Sequence, residues 1–145
     1  MNKSIKIEEV KGDSGKIKDF EKTEWSIADI EHYGGPRNFK KKKYKFVANN
    51  ENGDIFGVLD LIIEANVSYL EGLIISHNHR GEGIGKKLLL FAEKFAKNNK
   101  CTKIWTETDE DWQAANFYKK MGFEICGTHE NHYLGRRGLI LTKYL

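Results

Sequence analysis

Apolar residues recur along this chain with two different periods, and the changes of period mark out its elements. From Ile84 they return at Leu88, Phe91, Ala92 and Phe95, one face of a helix whose other side carries Lys86, Lys87, Glu93 and Lys94. Alternating or short apolar runs predict strands at residues 4–10, with Ile5 and Ile7 inward, and at 44–48, 55–63, 67–75 and 103–108. Asn52-Gly53 is a hairpin turn signal between the second and third of these. Residues 16–32 space Ile17, Phe20, Trp25, Ile27 and Ile30 at loosely helical intervals. That reads as one broken helix or two short ones, ended by Tyr33-Gly34-Gly35-Pro36. Asp109 or Asp111 can cap a helix running to about Lys120, Gly122 stops it, and strands follow at 123–127 and 138–144.

Strand, helix, three strands, then helix-strand-helix-strand-strand is the order of an α/β domain. It predicts a mixed sheet of about six or seven strands with helices on both faces, the last strands pairing antiparallel. A length of 145 residues corresponds to a single domain, residues 1–145, large enough for a real core. Lys and Arg total 24 against 21 Asp and Glu, and the resulting +3 is too weak to argue for nucleic acid. The run Lys40 to Lys43 reads as a solvated strand entry or a charge-protected edge. No apolar stretch is long enough to span a membrane, and the first residues lack a signal peptide's apolar run. Cys101 and Cys126 form neither a CxxC pair nor a disulfide framework, so a reducing, cytoplasmic location is expected.

The densest chemical signal is Arg80-Gly81-Glu82-Gly83-Ile84-Gly85-Lys86-Lys87, placed after a strand and opening a helix. Glycines remove bulk and permit positive φ, so successive backbone N–H groups can converge on one anion. The helix N-terminus adds unpaired donors and partial positive charge, and Arg80, Lys86 and Lys87 add formal charge. A P-loop needs four residues between its first glycine and the Gly-Lys pair, then Ser or Thr; three lie between Gly81 and Gly85, and Lys87 follows Lys86. A dinucleotide fingerprint fails as well, because Lys86 stands where its last glycine belongs.

The form that fits is Arg80-x-x-Gly83-x-Gly85, which resembles the acetyl-coenzyme A loop of the GNAT superfamily of N-acetyltransferases. Upstream, Leu73-Ile74-Ile75 sits where that family ends its fourth strand. Downstream, the segment from Trp112 to Phe123, ending Phe-Tyr-x-Lys-x-Gly-Phe, looks like its later helix. The similarity covers roughly residues 69–145, and the Trp-Gln-Ala start and Thr-Lys-Tyr-Leu tail look like small bacterial members.

The resemblance implies that Leu73, Ile74 and Ile75 flank the pantetheine arm of acetyl-coenzyme A. The amides of Gly81, Glu82, Gly83, Ile84, Gly85 and Lys86, with Arg80 beside them, would surround its pyrophosphate. Tyr118 would be the general acid that protonates the departing thiolate, its ordinary pKa of about 10 being near a thiol's at about 8.5. Ala114 and Ala115 share its helix face and keep it low, while Phe117 falls on the face with Gln113 and Met121 and reads as a packing residue. Many family members have asparagine where Asp111 stands; Asp111 reads instead as a helix cap, and Asn116 as a contact to the outer part of the cofactor.

Glu71, in strand parity with Leu73 and Ile75, is the candidate base for the incoming amine. Glu64 is a weaker one. His77 and His79 lack a third ligand at suitable spacing and read as a solvated turn, so no metal is expected. His129 and His132 lie in the last connection. Acceptor recognition is expected from residues 32–39 and 128–137. The implied activity is acetyl transfer from acetyl-coenzyme A to the primary amine of a small molecule, by direct attack. Its alternatives are a protein lysine or amino-terminal acetyltransferase and a non-catalytic coenzyme A-binding sensor. Neither nucleic acid nor membrane is expected as a partner, and a homodimer is in keeping with the family's small members.

Overall fold

An alternating segment becomes a strand when a sheet edge is there to pair with it. In the computed structural model, which describes residues 4–37 and 39–145, residues 4–10 take no helix or strand, and Ile5 and Ile7 are exposed. The strand expected at residues 4–10 is therefore absent: its alternation is real, but no ladder uses it. The chain divides into two compact units, Met1–Asn38 and Phe39–Leu145. The first contains α1 (Gly15–Tyr33), one continuous helix rather than a broken one or a pair. Ser14 caps it by accepting the N–H of Ile17 at 3.3 Å. Gly34, left-handed at φ 78°, ends it by donating its N–H to the Ile30 carbonyl at 2.9 Å.

The second unit runs β1 (Lys42–Asn49), β2 (Ile55–Glu64), β3 (Val67–Ile75), α2 (Ile84–Asn98), β4 (Lys103–Asp109), α3 (Gln113–Lys120), β5 (Glu124–His129) and β6 (Gly138–Tyr144). Its six strands form one mixed sheet in the order β1-β2-β3-β4-β6-β5. The β1–β2 hairpin turns where Asn52-Gly53 signalled it, and the Asn50 side chain accepts the N–H groups of Asn52 and Asp54. β3 and β4 are parallel across α2; every other neighbouring pair is antiparallel, and β6 inserts between β4 and β5. Lysine-rich β1 is an edge strand.

Leu59, Leu61, Leu70, Ile104, Leu139 and Leu141 of the sheet pack with Leu89, Ala92 and Ala96 of α2 and with Ala115 and Tyr118 of α3 in one buried cluster. Within this unit both helices thus share one face of the sheet. Lys143 of β6 fastens them: its ammonium donates to Glu93 of α2 at 3.0 Å and to the Met121 carbonyl past α3 at 2.9 Å. α3 starts later than its aspartates suggest. Trp112 is its N-cap residue with no side-chain cap, and Asp111 is drawn to Arg136 instead.

Candidate active site

The β3–β4 pairing lasts three residues, from Val67 opposite Lys103 to Tyr69 opposite Trp105. Just beyond it the buried Thr106 hydroxyl donates to the Leu70 carbonyl at 2.9 Å, a side-chain bridge at the point where the strands part. Past that bridge β3 remains paired only with β2, so its other edge opens into a notch. The notch continues as a cleft of about 370 Å³ that reaches the glycine turn. Thr108, next but one on β4, keeps a buried hydroxyl that has no partner among the described residues.

Ten of the twelve residues expected to meet the cofactor line this cleft. Leu73, Ile74 and Ile75 form its β3 wall, Arg80, Gly81, Gly83, Ile84, Gly85 and Lys86 its turn and helix end, and Tyr118 belongs to its α3 wall. Gly81 and Gly83 take φ of 81° and 80°, a conformation that costs other residues about 1–2 kcal/mol, and neither has an atom within 4 Å of where a Cβ would stand. α2 begins with no side-chain cap on its first amides. Glycines with open space above them, uncapped helix donors and flanking cations are a fit for a diphosphate.

The other two are Glu82 and Asn116. Glu82 lies outside the cleft, its carboxylate held 3.1 Å from His79 Nδ1, which draws a negative charge away from the turn. Asn116 is exposed and outside the cleft, since a position two residues from Tyr118 lies on another side of a helix. Trp112, Gln113, Ala114 and Phe117 complete the α3 wall. Phe117 packs against the core, as its reading as a packing residue expected, and lines the cleft as well. Its ring sits 3.6 Å from the Cβ position of Gly85, where it lines the cleft, and the more deeply buried aromatic is Tyr118 at 5% exposure.

Glu71 is also displaced. Leu61 faces Leu70 and Asp60 faces Gly72, so Glu71 is the extra residue of a β-bulge. The bulge resets the parity of β3: Leu70 and Leu73 both pair with core leucines, and Gly72 pairs with Asp60 on the opposite face. Glu71 is exposed and lies close enough to Tyr69 to raise its phenol pKa, after burial and Glu107. The parity argument linking Glu71 to Leu73 and Ile75 does not survive the bulge.

Burial pushes the Tyr118 phenol up to about 12, opposed by a hydrogen bond with Thr106. A phenol so placed is neutral and a donor at any ordinary pH. Thr106 thus stands beside both the strand bridge and the tyrosine. Thr106→Val, nearly the same shape, should lower stability by about 1–2 kcal/mol in urea unfolding, because the Leu70 carbonyl loses its donor.

Residues 128–137 carry ion pairs: Arg137 joins Glu130 and Glu110, and Arg136 joins Asp111. Of the other expected acceptor segment, residues 32–39, residue 38 lies outside the described residues.

The acetyltransferase (GNAT) family profile matches residues 14–123. A streptothricin acetyltransferase of Streptomyces lavendulae is 33% identical over 99 residues, covering 62% of this chain and 49% of that protein. The chain spans about half the length of the curated relatives it matches. A solved acetyltransferase from Bacillus cereus overlays with TM-score 0.75 at 24% identity, covering 95% of this chain and 98% of the other, which speaks for the fold. A solved Bacillus anthracis chain, titled a streptothricin acetyltransferase in complex with acetyl coenzyme A, gives TM-score 0.66 at 26% identity over 73% of this chain and 64% of its own.

Proposed function

The chain belongs to the acetyltransferase (GNAT) family, and on that premise we propose that it transfers acetyl from acetyl-coenzyme A to a primary amine of a small molecule. The observation that carries the reading is the notch itself: two parallel strands that part after three residue pairs, opening onto a glycine turn at one end and a buried phenol on the facing helix. The first curated relative, an enzyme named for a streptothricin, supports a small-molecule acceptor.

Acetyl-coenzyme A supplies the acyl group already activated as a thioester. The chain's part is to hold it. The free edge of β3 at Leu73, Ile74 and Ile75 offers backbone groups to the pantetheine amides, so that other aliphatic side chains should serve there. The turn from Gly81 to Lys86 offers amides and cations to the diphosphate. Trp112, Ala114 and Phe117 line the α3 side. Tyr118, kept neutral by burial, donates a hydrogen bond to the departing sulfur. The gap between a phenol near 12 and a thiol near 8.5 favours this shared proton over its full transfer.

Orientation of amine and thioester then supplies much of the rate, with strand amides polarising the carbonyl. Glu71, the candidate base, stands on the bulge and not in line with the β3 wall. The test is calorimetry with acetyl-coenzyme A, followed by thiol release against polyamines, aminoglycosides, amino acids and peptides. Binding with turnover of a small amine supports the reading. Turnover confined to peptides would replace it with protein acetylation, binding without any turnover with a sensor, and no heat on titration would end it.

A further inference from the structure

Away from the cleft, on the sheet face turned from α2, three segments bring metal-binding atoms together: Glu107 on β4, His129 at the end of β5 and His132 in the β5–β6 connection. Their ligand atoms all lie within 4.8 Å of one another. His129 Nε2 stands 3.6 Å from Glu107 Oε1, and the two imidazoles stack with centroids 4.5 Å apart. We propose that these three residues form a binding site for a borderline divalent cation such as Zn²⁺, with Co²⁺ as its spectroscopic substitute.

Two imidazoles and a carboxylate suit Zn²⁺, Co²⁺ or Ni²⁺, whereas Mg²⁺ and Ca²⁺ favour all-oxygen sets. Three protein ligands leave at least one position to water, so this is an open site and not a closed structural one. Local folding gathers the set. Asn131 turns left-handed at φ 48°, which returns His132 to the side of His129. Glu130, between them, is held away by Arg137 at 2.6 Å. The His132 amide donates to the Arg136 carbonyl at 2.7 Å, closing the turn. Both residues pack over Gly138, opposite His129 in the ladder: His129 Cβ and His132 Cδ2 each lie 3.5 Å from where a Cβ there would stand.

The imidazoles now lie within 18° of parallel, and a shared ion lies in the plane of each ring that binds it, so binding turns one ring about its Cβ–Cγ bond. Among the described residues no hydrogen bond holds the His132 ring against that turn; its other ring contact is Tyr133, 4.2 Å between centroids. The other histidine pair is a poor competitor, since His79 is engaged by Glu82 and Phe56.

The test uses the full chain, without an affinity tag and stripped by chelator. Titration with Zn²⁺ by calorimetry should show one ion per chain at micromolar concentration, and Co²⁺ should give visible absorption bands that Zn²⁺ displaces. His132→Gln and Glu107→Gln should each weaken Zn²⁺ binding by about tenfold or more. The double variant His77→Gln, His79→Gln should leave it unchanged, and matched circular dichroism should show all the variants folded. Zn²⁺ should also shift the NMR signals of both His129 and His132 ring protons, a readout independent of any folding defect. Absence of micromolar binding, binding indifferent to His132→Gln and Glu107→Gln, or binding lost with His77 and His79 would each overturn the site.

Discussion

Tyr118→Phe should lower kcat for acetyl transfer by about 100-fold or more while acetyl-coenzyme A still binds. The substitution removes one oxygen and keeps the ring, which packs against Phe117 and Phe123 at 5.3 and 5.4 Å between centroids. What is lost is a donor held neutral in an apolar wall. The sign of the pH effect follows from the same burial. In the folded chain the phenol sits near 12, against about 10 when unfolded, so folding tightens its hold on the proton. That contribution to stability is complete below about pH 10 and is lost as pH rises through 10 towards 12, by up to about 2–3 kcal/mol. The wild-type stability curve should therefore fall more steeply at alkaline pH than that of Tyr118→Phe. Thiol-release kinetics and urea unfolding at several pH values check both halves. An unchanged kcat would take Tyr118 out of the chemistry, whatever the unfolding curves show.

The glycine turn and its helix were legible because their signals are local. Residue spacing alone rejected the P-loop and the dinucleotide fingerprint, and the cleft lies where Arg80, Gly83 and Gly85 pointed. The errors came from what pairs with what. Residues 4–10 alternate like a strand, yet no sheet edge takes them. Parity along β3 looked continuous from Glu71 to Ile75, but a bulge depends on how β2 registers against it, and that register is not written in β3's own residues. Asp111 is a good N-cap by type, yet Arg136, 25 positions later, claims its carboxylate. The cluster of Glu107, His129 and His132 was hidden for the same reason: its members come from β4, β5 and the β5–β6 connection, and the strand order that gathers them is not written in any one segment.

Gly85→Leu should abolish measurable acetyl-coenzyme A binding while the chain remains folded, and Gly85→Ala should come close to wild type. The contrast rests on where the side chain would grow. A Cβ at Gly85 would touch Ile75 and Phe117 at 3.6 Å, ordinary contact that needs no shift, and the residue is in a helix where alanine is favoured over glycine. The rest of a leucine side chain has to extend among residues that line the cleft, into the space a pantetheine arm would need. A loss of at least about 100-fold in affinity, near 2.7 kcal/mol, is the expected effect of filling it. Neither variant touches the left-handed glycines at 81 and 83, so a change in binding reports the cleft and not a collapsed turn. Calorimetry with acetyl-coenzyme A on both variants, beside their melting curves, separates the outcomes. Full affinity in Gly85→Leu with an unaltered melting curve would mean that the thioester arm does not pass between α2 and α3, and the notch would lose its role.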